Sequence, residues 1–98
     1  MATVIKLSEV LSIDGKKYES LTFGSFQVDY LKYVTEDIYM LIAGEPLTVE
    51  GKVKAAIAMV PLLAALCGVS EGVIKKMAIQ DMASILTKFG TYFNSVMN

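Results

Sequence analysis

Apolar and polar residues alternate along the first quarter of the chain. Two alternating runs, one starting at Thr3 and one ending at Phe23, flank the dipeptide Asp14-Gly15. An Asp-Gly pair in this position is a strong short-range signal for a β-hairpin, because both residues tolerate a positive φ angle. The pattern therefore predicts a hairpin over residues 3–23. Because an isolated hairpin is marginal in water, it must pack against the segment that follows.

From Phe26 onward the apolar residues recur every three or four positions, which is the period of an amphipathic helix. The pattern predicts a first helix from Gln27 to Ala43, with Ser25 as its N-cap. Gly44 and Pro46 follow, and residues of these types commonly end helices.

A second helix is predicted from Val49 to Cys67. Thr48 is its candidate N-cap and Gly68 its stop signal. Pro61 lies in its interior, where a proline removes one backbone hydrogen bond and clashes with the preceding turn. We therefore expect a kink or a break near residues 58–60, and the sequence leaves both possibilities open.

The last third of the chain predicts two more helical segments. Ser70 is the N-cap candidate of a short one, "SEGVIKKM", and a longer amphipathic helix follows it. Asp81 near the start of that helix is either a contact residue or, more simply, an acid favoured by the helix dipole. The predicted apolar face of the long helix consists of Ile79, Met82, Ala83, Leu86, Phe89, Gly90, Phe93 and Val96.

Two strands followed by helices are typical of the α+β class. The sequence therefore predicts one domain over residues 1–98, in which an N-terminal β-hairpin (3–23) precedes a three- to four-helix bundle (26–97). A chain of 98 residues has room for one domain and a modest core.

The run "AAIAMVPLLAALCGVS", residues 55–70, contains no charged side chain. It is too short to span a bilayer, which needs about 20 apolar residues. A core helix that is apolar on all sides requires burial on all sides, and a domain of this size is too small to supply it. We therefore expect an exposed apolar face that binds a partner. The predicted contact residues are Met59, Leu62, Leu63 and Leu66, followed by an aromatic edge of Phe26, Tyr30 and Tyr33.

The amino-acid composition favours some classes of function over others. Apolar residues make up 54% of the chain, which favours a partner or self-association. The basic residues are nine scattered lysines, with no arginine, so a nucleic-acid-binding face is not expected. The chain has no histidine and one cysteine, which excludes Ser-His and Cys-His catalysis and an internal disulfide. We expect no cofactor or metal, and we interpret Cys67 as a small buried hydrophobe. Lys6 and Glu9 interrupt any signal-peptide core, which favours the cytoplasm.

The chain resembles the tail assembly chaperones of long-tailed phages, in the group found in Mu-like and P2-like phages. The resemblance rests on the hairpin "LSEVLSIDGKKYESLTF", on the helix start "SFQVDYL" and on "LCGVSEGVIKKMAIQDMASILTKF". The last segment fits a family pattern at Leu66, Gly68, Val69, Ile74, Met77, Asp81, Ile85 and Phe89. The family often has an arginine and a proline after the second strand, where this chain has Gly24 and Ser25.

This resemblance implies a non-catalytic protein that coats the tape measure protein, keeps it soluble and helps to recruit tail tube subunits. It implies a homo-oligomer made in the cytoplasm of an infected or lysogenic bacterium and absent from the finished virion. Two alternatives remain open at this point. One is a structural tail protein retained in the virion, and the other is a small helical regulator that binds DNA.

Overall fold

The computed structural model describes residues 3–97, and its N-terminal part is the predicted hairpin. Strand β1 covers Thr3–Ile13 and strand β2 covers Lys16–Phe23, paired antiparallel. Asp14 and Gly15 have φ angles of 51° and 79°, so both turn residues adopt the positive φ that the sequence predicts.

The ladder between the strands is interrupted in β1. Between the pairs Lys6–Ser20 and Leu11–Tyr18, β1 has four residues (7–10) where β2 has only Glu19. Such irregularities bend a strand and end regular pairing locally. The interruption frees the backbone N–H of the residues in this stretch to bond elsewhere.

The first helix differs from the prediction. A 3₁₀ helix at Val28–Tyr33 is separated from α1, Glu36–Ile42, by two residues in extended conformation. The side-chain oxygen of Thr35 accepts a hydrogen bond from the N–H of Ile38 at 3.4 Å and so caps α1. The prediction of one helix from Gln27 to Ala43 capped by Ser25 is therefore wrong, because a β-branched residue that caps well begins a new helix instead of continuing the old one.

Helix α2 covers Val49–Cys67, as predicted. Thr48 Oγ1 accepts from the N–H of Gly51 at 3.0 Å, and Gly68 ends the helix with a φ of +68°. The sequence left open whether Pro61 kinks one helix or separates two. The helix continues through Pro61, so the structure has one helix. Proline cannot donate to the carbonyl one turn back, and that carbonyl belongs to Ile57, a residue on the exposed side of the helix.

Helices α3, Glu71–Lys75, and α4, Ile79–Met97, complete the chain. Ser70 occupies the N-cap position of α3 but makes no capping bond with its side chain. The buried face of α4 is rotated from the predicted one. Ile85 is buried, whereas Ile79, Ala83 and Val96 are exposed, so the prediction was wrong at these three exposed positions.

The hairpin packs one face against α2 and α4, and α1 and α3 close the sides, which gives an α+β fold. One contiguous cluster of buried side chains joins these elements. The cluster consists of Ile5, Leu7, Leu11, Leu21, Phe23, Ile38, Met59, Leu62, Leu63, Ala64, Leu66, Val73, Ile74, Met82, Ile85 and Phe89.

Within residues 3–97, none of the helices combines the length and the apolar character that crossing a bilayer requires.

Two hydrogen bonds of Gly24 attach the end of the hairpin to the helices. The N–H of Gly24 donates to the carbonyl of Leu66 at 2.9 Å, and the Tyr92 hydroxyl donates to the carbonyl of Gly24 at 2.6 Å. A Cβ at position 24 would lie 3.1 Å from that Leu66 oxygen, so glycine permits the close approach. Gly24 is therefore a packing site.

Candidate functional site

The first predicted contact surface lies inside the protein. Met59, Leu62 and Leu63 are completely buried and Leu66 is nearly so. These side chains face the hairpin and the other helices and form the centre of the core. The expectation that they form an exposed surface is wrong, because they are the face of α2 that the rest of the fold covers.

The second predicted surface is partly accessible. Phe26, Tyr30 and Tyr33 are half-buried and pack against the core. Phe26 stacks edge-on against Tyr30 and against Phe93, with ring centroids 5.8 and 5.2 Å apart. Such edge-to-face pairs contribute about 0.5–1.5 kcal/mol each beyond their buried area. The aromatic edge therefore holds the 3₁₀ helix against α4, and only part of each ring is open to a partner.

An open apolar groove lies elsewhere, between the N-terminal halves of α2 and α4. Its volume is about 600 Å³, and its lining is mostly aliphatic. Glu45, Lys52 and Thr87 supply the polar part of the lining. The apolar lining residues are Leu41, Pro46, Leu47, Val49, Val53, Ala56, Ile79, Met82, Ala83 and Leu86.

The α2 side of the groove follows from residue spacing. Val49, Val53 and Ile57 are four residues apart, so they form one stripe along the helix. Val53 and the buried Ala55 are two residues apart, which places them about 200° apart around the axis. The stripe therefore faces solvent when the other side of α2 faces the core. All three side chains are exposed, Val49 by 81%.

The α4 side begins at Ile79, the first residue of the helix, which is 78% exposed. A smaller cavity of about 210 Å³ shares Ala56, Ile79 and Met82 with the groove and extends it along Ile57 and Val60. The exposed apolar surface is thus continuous over two helices. Exposed patches of this kind mark binding sites more often than scattered single apolar residues do.

The prediction of an exposed apolar face within residues 55–70 was wrong for most of that run, because Ile57 is its only exposed apolar side chain and the exposed stripe of α2 begins earlier, at Val49 and Val53. The missed residues are Val49, Val53, Ile57 and Ile79. One available signal was the four-residue repeat of Val49, Val53 and Ile57, which begins before the uncharged run of residues 55–70. This repeat lies on a different side of the helix from the apolar residues in the later part of that run. A helix with two apolar stripes and one core has to leave one stripe outside.

The other residues considered as candidates are possible metal ligands, Asp81 and Cys67. Within residues 3–97, histidine, cysteine and acidic side chains form no group of three or more that could hold a metal ion. Asp81 is 6% exposed and accepts hydrogen bonds from Ser8, so its carboxylate is occupied. Burial raises the pKa of the Cys67 thiol to about 11, which leaves little thiolate at neutral pH.

No protein-family model, curated protein sequence or solved structure matches this chain.

Proposed function

We propose that this protein is a non-catalytic tail assembly chaperone of a long-tailed phage and that it binds and solubilises the tape measure protein through the groove of α2 and α4. The observation that carries the proposal is the open apolar groove between two helices. The resemblance described above supports it and supplies the identity of the partner.

The groove suits the apolar face of an amphipathic helix. Helix-in-groove recognition uses an aliphatic channel that accepts side chains spaced three, four and seven residues apart. The stripe from Val49 to Ile57 spans nine residues, and its eight steps of about 1.5 Å cover about 12 Å, or roughly two turns of a bound helix. Lys52 and Glu45 at the lining place opposite charges beside the apolar floor, which resembles the polar rim of interfaces.

The wider role follows from the partner. A long helical tape measure protein offers many similar apolar stretches, so many copies of this chain coat one partner molecule and keep it soluble. In this proposal the coat also recruits tail tube subunits. The protein acts in the cytoplasm of the infected or lysogenic bacterium and is left out of the finished virion.

The test is co-expression with the tape measure protein encoded in the neighbouring genes, followed by size-exclusion chromatography with light scattering. We expect a soluble complex that contains many copies of this chain per partner. A partner that stays insoluble beside a chain that ignores it would refute the proposal. A virion that contains the chain would support a structural tail protein instead.

A matched pair of substitutions tests the groove. Val53→Asp puts a charge into the groove, and Val10→Asp makes the same change on β1 at a residue of nearly equal exposure, 53% against 57%. Burying an unpaired carboxylate against an apolar partner is costly, so we expect Val53→Asp to weaken binding at least ten-fold. Val10→Asp should bind like the unmodified protein. Equal binding by both variants would show that the partner does not occupy the groove.

A further inference from the structure

The two-stranded sheet has two outer edges, and only one of them is protected. On β1 the irregular stretch between Lys6 and Leu11 breaks the edge. The backbone N–H of Ser8 in that stretch donates to both carboxylate oxygens of Asp81, at 3.0 and 3.1 Å. Irregular strands and covering elements are ways in which proteins prevent unwanted strand pairing.

The outer edge of β2 has neither protection. Lys16–Phe23 is eight residues long and contains no proline. Within residues 3–97, the backbone hydrogen bonds found outside the helices and the hairpin ladder include none from β2. Its residues 16, 17, 19 and 20 are exposed. A free edge of this length is a template for another strand.

We propose that β2 pairs antiparallel with β2 of a second copy of this chain, across a two-fold axis at Tyr18. The product is a four-stranded antiparallel sheet in the order β1–β2–β2–β1. A two-fold axis makes such an interface self-complementary, because each residue contacts the same set in the partner. A four-stranded sheet also satisfies backbone groups that a lone hairpin leaves to water.

Charge selects this register. With the axis at Tyr18, Lys17 of each copy lies opposite Glu19 of the other, and Lys16 lies opposite Ser20. An axis at Lys17 or at Glu19 would instead place two like charges directly opposite each other. Opposite charges in cross-strand pairs contribute about 0.2–1 kcal/mol each, and like charges are destabilising by similar amounts.

A register shifted towards the C-terminal end of β2 would bring the partner strand against the helices. With the axis at Ser20, the partner strand would have to continue beside Phe23 and Gly24. Phe23 is buried, and the N–H of Gly24 is already bonded to the carbonyl of Leu66 on α2. Pairing centred on Tyr18 uses only the half of β2 next to the turn, where residues 16, 17, 19 and 20 are exposed.

The interface is small, so the dimer should be weak and concentration-dependent. On a long partner molecule, however, neighbouring copies are held close together, and a weak contact then adds substantially to overall binding. The β2 edge is separate from the groove. The pairing therefore gives a surface to the self-association expected of a coating protein, but it does not depend on which partner the groove binds.

Sedimentation velocity over a wide concentration range tests the dimer, and charge exchange tests the register. We expect Lys17→Glu to raise the dimer dissociation constant about ten-fold, since it replaces two opposite-charge pairs by two like-charge pairs. Glu19→Lys should do the same, and the double variant Lys17→Glu/Glu19→Lys should restore dimerisation. The control Lys16→Glu changes the net charge equally but faces Ser20, so it should have little effect.

Circular dichroism confirms that each variant is folded, and we expect no loss because all three positions are exposed. A protein that stays monomeric up to millimolar concentration would overturn the proposal. So would a dimer that Lys17→Glu does not weaken, one that Lys16→Glu weakens equally, or one that the double exchange fails to restore.

Discussion

Replacing Asp81 by alanine removes the contact that holds the start of α4 against the hairpin. The Asp81 carboxylate accepts three hydrogen bonds from Ser8. The backbone N–H donates to Oδ1 at 3.0 Å and to Oδ2 at 3.1 Å, and the Ser8 hydroxyl donates to Oδ2 at 3.0 Å. The two residues are 73 positions apart in the chain, so this contact connects the first strand to the last helix.

The expected loss of stability follows from the geometry. Hydrogen bonds to a charged group contribute about 1.5–3 kcal/mol net. An acid in the first turn of a helix adds roughly 0.3–1 kcal/mol through the helix dipole. Ser8 is exposed, so water replaces part of what the substitution removes, which lowers the sum. We expect Asp81→Ala to reduce the free energy of unfolding by about 2 kcal/mol. In a domain of this size that corresponds to a Tm lower by roughly 10 °C.

Urea denaturation followed by circular dichroism measures the loss. Glu71→Ala is the matched control, because Glu71 is also an acid in the first turn of a helix but is exposed. Its loss should be limited to the dipole contribution, below about 1 kcal/mol. A double-mutant cycle of Asp81→Ala with Ser8→Ala should show a coupling energy of about 1 kcal/mol for the hydroxyl bond.

Two results would refute this reasoning. The first is a loss for Asp81→Ala no larger than the loss for Glu71→Ala, which would mean that Asp81 acts only through the helix dipole. The second is a coupling energy near zero between Ser8 and Asp81, which would mean that the contact between them adds nothing to stability.

Three further predictions concern the core, the hairpin junction and the thiol. Leu62→Asp should unfold the protein or destabilise it by more than about 3 kcal/mol in the same urea assay, because the residue is completely buried; a stable variant would mean that Leu62 is not in the core. Gly24→Ala should lower the free energy of unfolding by about 1 kcal/mol, since the new Cβ would lie 3.1 Å from the Leu66 carbonyl oxygen, and an unchanged Tm would contradict that crowding. Burial raises the pKa of the Cys67 thiol from 9.0 to about 11. At pH 8 the thiol should therefore react with iodoacetamide about 100-fold more slowly in the folded than in the unfolded protein. Mass spectrometry of the alkylated protein at a series of times measures both rates. Because the folded state favours the neutral thiol, the contribution of Cys67 to the free energy of unfolding is full below pH 9 and is lost as the pH rises towards 11. Equal stability at pH 8 and pH 11 would argue against the raised pKa of Cys67.

Local signals predicted much of the fold because they act within a few residues. Asp14 and Gly15 tolerate a positive φ at low cost, and this made the hairpin turn predictable. Thr48 and Gly68 satisfy the two ends of α2 with their own atoms, so its bounds were predictable to the residue. The same reasoning failed at the first helix, where Thr35 caps a new helix inside an apolar pattern that has no break of its own.

The candidate site was predictable only in part, and α2 shows why. The sequence by itself determined that the second half of α2 is apolar on every side, but the exposed face predicted there was wrong, because residues 58–67 are all buried or half-buried. The exposed stripe of Val49, Val53 and Ile57 lies in the first half of the helix. Which stripe stays exposed depends on the position of the hairpin and α4, which cover Met59 and Leu62 and leave Val53 and Ile57 open. Hydrophobic burial depends on area and has no direction of its own, so only the packing of distant elements could decide between two stripes of similar character.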